Sequence, residues 1–183
     1  MIVIIDNTPK DLADEYESKV LEKSFTWTYS KRTVGTERNY IAHKKENIVP
    51  VMIHSVVENG DIVSDFWNLS KELLRSVQQQ SKRIVIEEIS NCRLNLQLQN
   101  GKEGFHTGIH IDGWVNMNIT ALYYVNDSDG DTYFFDNDTK IISKVCPKKG
   151  RWVFFSNKQL HAGSCPVHNK QRVLVNWNML GEY

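Results

Sequence analysis

Arg93-Leu-Asn-Leu-Gln-Leu-Gln99 alternates polar and apolar side chains without a break. Successive side chains of an extended backbone point to opposite faces, so this period of two predicts a strand with two unlike surfaces. Asn95, Gln97 and Gln99 make the polar one. Such a row can line a site or face water, and water is its commoner destination. The pattern continues downstream. Residues 118–126 are rich in β-formers and run into Asp127-Ser-Asp-Gly130, a turn signal. Further short strands are predicted over 132–135, 141–145, 152–155 and 172–179, with breaks at Lys149-Gly150 and Ala162-Gly163.

Upstream the period lengthens. Leu12, Tyr16, Val20 and Leu21 recur at helical spacing, and Pro9 suits a first turn, which predicts a helix from about residue 8 to 23. Phe66, Leu69, Leu73, Leu74 and Val77 make an apolar stripe and predict a second helix from about residue 62 to 80. Helices first and short strands after predict an α+β chain, mainly β, with a sandwich, barrel or jelly roll beside N-terminal helices. No repeat, low-complexity tract or Pro/Gly/Ser-rich linker interrupts the 183 residues. One domain is therefore expected over 1–183, with a helical and strand support over 1–90 and a core over 82–183.

Composition excludes several function classes. Hydrophobic residues make up 40% and charged residues 24%, the balance of a soluble globular chain rather than a disordered one. Lys plus Arg equals Asp plus Glu at 22 each, so no long-range field recruits nucleic acid or an anionic membrane. The local run Lys148, Lys149 and Arg151 reads as a solvated loop. Cys92, Cys146 and Cys165 are odd in number and lack a C-x-x-C pair, which suits a reducing cytoplasm. The apolar run in Met1-Ile-Val-Ile-Ile-Asp6 is short for a signal peptide, and no run approaches the ~18 residues of a membrane span.

The chemistry concentrates in Phe105-His-Thr-Gly-Ile-His-Ile-Asp-Gly113. On a strand His110 and Asp112 share a face, so an imidazole and a carboxylate can close on one cation. His161, 51 residues on, is the candidate third ligand. Two histidines and one carboxylate leave three positions of an octahedral ion open, as in non-haem Fe(II) oxygenases. A bare His-x-Asp is common by chance, and a lone His after a strand is more often structural. Arg172 changes the weighing. It opens the β-rich run Arg172-Val-Leu-Val-Asn-Trp177 and can pair bidentately with the far carboxylate of a chelating diacid.

These blocks, in order, resemble the 2-oxoglutarate/Fe(II)-dependent oxygenase superfamily, in its prolyl-4-hydroxylase-like branch. The resemblance covers roughly 90–180. It rests on His110-Ile-Asp112, the strand ending Tyr123-Tyr124-Val125-Asn126, Asp129-Gly-Asp-Thr132, Pro147-Lys-Lys-Gly-Arg-Trp-Val-Phe-Phe155, His161-Ala-Gly163 and Arg172-Val-Leu-Val-Asn176. The first 90 residues match loosely, through Phe25-Thr-Trp27 and the second helix. Where some relatives carry Gly-Gly-Glu-Thr this chain has Asp129-Gly-Asp-Thr132, which keeps the turn chemistry.

The resemblance implies a double-stranded β-helix, or jelly roll, with Fe(II) held by His110, Asp112 and His161. It implies that Arg172 binds the distal carboxylate of the co-substrate 2-oxoglutarate, joined there by the Tyr124 hydroxyl. The competing reading of Tyr124 is a core tyrosine with a satisfied hydroxyl. It further implies dioxygen as co-substrate, ascorbate as an accessory, and hydroxylation of a substrate C–H with release of succinate and CO2. The carboxylate of Asp112 favours hydroxylation over halogenation. A prolyl residue is one candidate substrate, alongside other protein, peptide or small-molecule substrates; nucleic acid is disfavoured by the neutral charge. The rivals are a non-enzymatic jelly-roll binding module and a cupin-like metalloenzyme that does not use 2-oxoglutarate. His106 reads as a loop residue near the mouth. Trp114 reads equally as a lid, a substrate contact or rim packing.

Overall fold

The computed structural model describes residues 1–31, 40–42, 49–100, 102–113 and 116–183. Trp114, with all three of its expected roles, lies outside them. The elements in chain order are β1 (Ile2–Ile5), α1 (Lys10–Val20), β2 (Thr28–Ser30), β3 (Tyr40–Ala42), β4 (Val51–Glu58), β5 (Asp61–Ile62), α2 (Trp67–Gln80) and β6 (Val85–Leu98). They continue with β7 (Ile109–His110), β8 (Ile119–Tyr124), β9 (Thr132–Phe135), β10 (Ile141–Val145), β11 (Trp152–Ser156), β12 (His161–Gly163) and β13 (Gln171–Glu182).

The strands form two antiparallel sheets. The larger runs β1-β11-β8-β13-β6-β4-β2, with β5 on β4; the smaller runs β10-β9-β12-β7-β3. Together they make a jelly roll, as expected. Alternation along the larger sheet divides the core. Leu94, Val173, Val175, Trp177, Ala121, Tyr123, Trp152 and Phe154 point outward and pack with Tyr16 and Val20 of α1 and Leu73, Leu74 and Val77 of α2. The alternate residues Leu122, Tyr124, Val153, Phe155 and Leu174 point inward and meet Phe134 and Val145 of the smaller sheet. At ~25 cal/mol per Å² of apolar area, this continuous burial is the main force holding helices on sheet.

Three departures from the sequence reading have physical causes. The strands of the N-terminal part, which the sequence reading left unplaced, join the larger sheet: β1 pairs with β11 and β4 with β6. Val51-Met-Ile-His-Ser-Val-Val-Glu58 has buried or half-buried residues on both faces, so it lacks the alternation that marks a one-sided strand. The second helix starts at Trp67, because Asp61–Ile62 folds back on β4 as β5. Asn59 and Gly60, at φ 51° and 88°, make the two-residue turn between them, the geometry that an Asn-Gly pair favours. The long strand β6 reaches back to Val85, beyond the alternating stretch. Among the described residues, no helix is long and apolar enough to cross a membrane.

Candidate active site

His110 on β7 and His161 on β12 are direct cross-strand partners of the smaller sheet. Their ring centroids lie 4.3 Å apart. The His110 Nδ1 is 2.9 Å from the Gly108 carbonyl and the His161 Nδ1 is 2.9 Å from the Gln159 carbonyl. A carbonyl only accepts, so each Nδ1 carries the proton and each Nε2 presents a lone pair. Those Nε2 atoms stand 3.8 Å and 3.9 Å from Asp112 Oδ1. The three candidate ligand atoms all lie within 4.8 Å of one another. Ligands at right angles on an ion with bonds of ~2.1 Å sit ~3 Å apart, so closure needs only small side-chain movements.

The other oxygen of Asp112 is held from behind. Its Oδ2 accepts from Thr120 Oγ1 at 3.0 Å, Asn178 Nδ2 at 3.1 Å and Asn176 Nδ2 at 3.2 Å. Burial alone would raise the Asp112 carboxyl, but His161, His110 and the donors from Asn176 and Thr120 bring it below the ordinary value. Burial, together with the neighbouring His161, lowers His110 to about 4. His110 therefore stays neutral at physiological pH and able to ligate a metal.

The trio opens on a cavity of about 540 Å³ between the two sheets. Arg172 of β13 lines its wall and is 3% exposed. Its Nη1 donates to Gln97 Oε1 at 2.5 Å and its Nη2 to Thr132 Oγ1 at 2.7 Å. Among the described residues its Nε has no hydrogen-bond partner, and no carboxylate lies within ion-pair distance of it. Burial pulls its guanidinium below the ordinary value, yet it remains a cation. A buried cation served only by neutral groups is costly unless an anion arrives. The glycines leave room for it. A Cβ at Gly163 would stand 3.3 Å from Arg172 Nη1, and one at Gly130 would stand 2.9 Å from Arg172 Cδ. Donor set and buried cation thus fit a divalent metal and a dicarboxylate together.

Tyr124 is fully buried, with its hydroxyl 2.6 Å from Thr132 Oγ1. The guanidinium of Arg172 lies 5.5 Å from the Tyr124 ring centre, so the two residues converge on Thr132. Of the two readings open for Asn95 and Gln97, the site-lining one holds: both line the cavity, and Gln97 is buried against Arg172. The apolar row of β6 is the one the helices cover, which turns the polar row inward. Gln99 is exposed, and its side chain donates to the Val167 carbonyl. His106 stands outside the trio, in contact with the Tyr133 and Phe135 rings. Sequence reading missed the parts that Thr120, Thr132, Asn176 and Asn178 play. The available signal was polar residues alternating with large apolar ones, as in Asn176-Trp-Asn178.

Residues 96–179 match the family model of the 2OG-Fe(II) oxygenase superfamily, a stretch that contains His110, Asp112, His161 and Arg172. No curated protein matches the chain. Solved structures share the fold. A prolyl hydroxylase from Trichoplax adhaerens, in complex with a hypoxia inducible factor oxygen degradation domain peptide fragment, is similar at 18% identity and a TM-score of 0.66, over 97% of this chain and 83% of that one. A Pseudomonas putida prolyl-4-hydroxylase is similar at 16% identity and 0.59, over 98% and 92%. The epimerase SnoN, in complex with Fe3+, alpha ketoglutarate and nogalamycin RO, is similar at 12% and 0.60, over 98% and 78%. Residues 96–179 are thus similar to the 2OG-Fe(II) oxygenase superfamily, and the chain shares its fold with prolyl hydroxylases. The family that residues 96–179 match is one of oxidoreductases that work with iron and 2-oxoglutarate.

Proposed function

We propose that the chain hydroxylates a C–H bond of its substrate, with His110, Asp112 and His161 holding Fe(II) and Arg172 holding the distal carboxylate of 2-oxoglutarate. The observation that carries this reading is a buried Arg172 without a carboxylate partner among the described residues, in the same cavity as the His-Asp-His trio. When bound, the metal and co-substrate supply the oxidising chemistry, with succinate and CO2 released.

The protein's part is positional. The Gly108 and Gln159 carbonyls fix both imidazoles with Nε2 forward. Thr120, Asn176 and Asn178 hold Asp112 so that Oδ1 faces the histidines. Gln97 and Thr132 aim the fork of Arg172, with Tyr124 supporting the carboxylate end through Thr132. Sheet walls on both sides limit water at the reacting centre. A prolyl residue is the first substrate to try, since prolyl hydroxylases are among the chains similar in fold. The three cysteines are free thiols, which supports a reducing compartment such as the cytoplasm.

The test is titration of Mn(II) and then 2-oxoglutarate into wild-type protein, His110→Ala and Arg172→Ala, followed by succinate release with Fe(II). The expected outcome is metal loss in the first variant and co-substrate loss in the second. A wild-type protein that binds neither metal nor 2-oxoglutarate would sink the reading.

A further inference from the structure

The cavity is not equally open on the two sides of β13. Arg172, Leu174 and Asn176 alternate along the inward face of that strand, and Asn176 donates to Asp112. A co-substrate that joins Arg172 to the trio therefore runs over Leu174. On one side of this track lie β8 and β11. Their inward Leu122, Tyr124, Val153 and Phe155 pack against Phe134 and Val145. On the other side lie β6 and then β4, and there the cavity continues. Room for a further molecule is on the β6 and β4 side.

Asn95 stands at the border of that room. Its cross-strand neighbours are Leu174 on β13 and Ile53 on β4, and all three residues line the cavity. The other carboxamides that β6 and β13 turn to the cavity are engaged. Asn91 donates to Ser90 and accepts from the Asn59 N–H. Gln97 accepts from Arg172, and Asn176 and Asn178 donate to Asp112. Among the described residues, the Asn95 Oδ1 is buried and accepts no hydrogen bond.

A buried acceptor without a donor is costly, and neither bound group of the oxygenase reading relieves it. A metal ion brings no donor. The dianion of 2-oxoglutarate carries acceptor oxygens alone. The donor that Oδ1 lacks comes from water or from the prime substrate. Rotation of the carboxamide about its Cβ–Cγ bond meets only a broad, shallow barrier, and it carries the oxygen towards the cavity. The surroundings favour a neutral ligand with an apolar part. Ile53 and Val51 present aliphatic surface on the next strand. Arg93 and Glu58 bring charges of opposite sign to the same side, and each offsets the other.

We propose that Asn95 is a specificity-determining residue. Its Oδ1 accepts a hydrogen bond from an amide N–H of a neutral prime substrate whose aliphatic part lies on Ile53 and Val51. An aliphatic residue with its amino and carboxyl groups in amide linkage carries this pair of features a few bonds apart. Such a ligand borders the co-substrate's track and so brings its aliphatic C–H bonds to the side of the cavity that the trio faces. This inference rests on the oxygenase reading above, and its test keeps the two apart.

The probes are the N-acetyl N-methylamides of proline, valine and leucine, the same compounds with every amide N–H methylated, and the glycine analogue. Each is titrated into protein loaded with Mn(II) and 2-oxoglutarate, and binding is read from the broadening of its NMR signals by the metal. The aliphatic amides are expected to bind about tenfold more tightly than their methylated forms, the scale of one hydrogen bond, and more tightly than the glycine analogue. Asn95→Leu should bring amides and methylated forms within about threefold of one another. Asn95→Asp, which keeps the acceptor and loses the donor, should retain the preference. Metal-free Asn95→Leu should melt no lower than wild type, because it removes an unpaired buried acceptor. A preference that survives Asn95→Leu, or is lost in Asn95→Asp, overturns the proposal. So does a loaded wild-type protein that binds no probe, or binds both forms equally, which would leave Oδ1 to water and the oxygenase reading intact. An Asn95→Leu protein that loses 2-oxoglutarate also overturns it, since Asn95 would then serve the co-substrate. Wild-type protein that takes up neither Mn(II) nor 2-oxoglutarate instead defeats the underlying reading.

Discussion

Arg172 and Gln97 face each other across β13 and β6, with Nη1 2.5 Å from Oε1. A buried cation here meets a neutral amide where an internal ion pair would place a carboxylate. That choice keeps the positive charge available to a ligand. Gln97→Glu preserves shape and hydrogen bond but supplies the missing anion from within. We predict that it weakens 2-oxoglutarate binding at least tenfold, about 1.4 kcal/mol, while raising the melting temperature of the metal-free protein. Calorimetry on the Mn(II)-loaded variant and a thermal melt check both halves. Unchanged 2-oxoglutarate affinity would show that Arg172 is not the co-substrate's partner.

Thr120 offers a cleaner probe of the metal end. Its hydroxyl is fully buried and gives one of the three hydrogen bonds that hold Asp112 Oδ2. Thr120→Val removes that donor and keeps the volume. Residues that orient a metal ligand typically contribute 10–100-fold to metal affinity, and about tenfold is predicted here because Asn176 and Asn178 remain. Mn(II) titration by electron paramagnetic resonance reads the change. Affinity equal to wild type would mean that Asp112 needs no support from β8.

How much of this was legible depended on which face of each strand is covered. The alternation of residues 93–99 was readable as a strand, but its polarity alone does not say which side is solvent. Leu94 and Leu96 go under α1 and α2, and this tertiary fact turns Asn95 and Gln97 toward the site. The His110, Asp112, His161 and Arg172 set was readable because each member sits in an ordered block of sequence. That His110 and His161 are direct cross-strand partners was not, since register between distant strands leaves no mark in either. β1 and β4 escaped notice because neither carries a strict alternation. Asn59-Gly60 was a legible hairpin signal, and the helix predicted from about residue 62 instead began on the last residue of β5.

Asp129 anchors the loop before β13. Its carboxylate accepts from the backbone N–H of His168 at 2.7 Å, and of Val167 and Asn169 at 3.2 Å. Burial alone would raise its carboxyl, yet these donors hold it below the ordinary value. A depressed folded-state value means that the stabilisation is present above the unfolded value near 4 and is lost as pH falls through the folded one. Asp129→Asn is therefore predicted to cost about 1 kcal/mol at pH 7, on the scale of a lost helix cap. The gap from wild type should close below about pH 4. Denaturant melts at pH 7 and at pH 3 measure it, and an equal gap at both would remove the carboxylate from the account.

Gly130, the next residue, ties that turn to Arg172. A Cβ there would stand 2.5 Å from the Ser164 carbonyl oxygen and 2.9 Å from Arg172 Cδ. The first contact is with backbone and cannot be relieved by a side-chain rotation, so Gly130→Ala must displace either the 128–131 turn or the strand end at Ser164. Arg172 lies against both, whereas the imidazoles of His110 and His161 are held by the Gly108 and Gln159 carbonyls. The predicted phenotype is selective: 2-oxoglutarate affinity falls by at least tenfold while Mn(II) affinity changes by less than about threefold. Paired titrations of metal and co-substrate, with a thermal melt to confirm folding, read the two effects separately. Loss of both affinities in a folded variant would show that the turn also supports the metal trio.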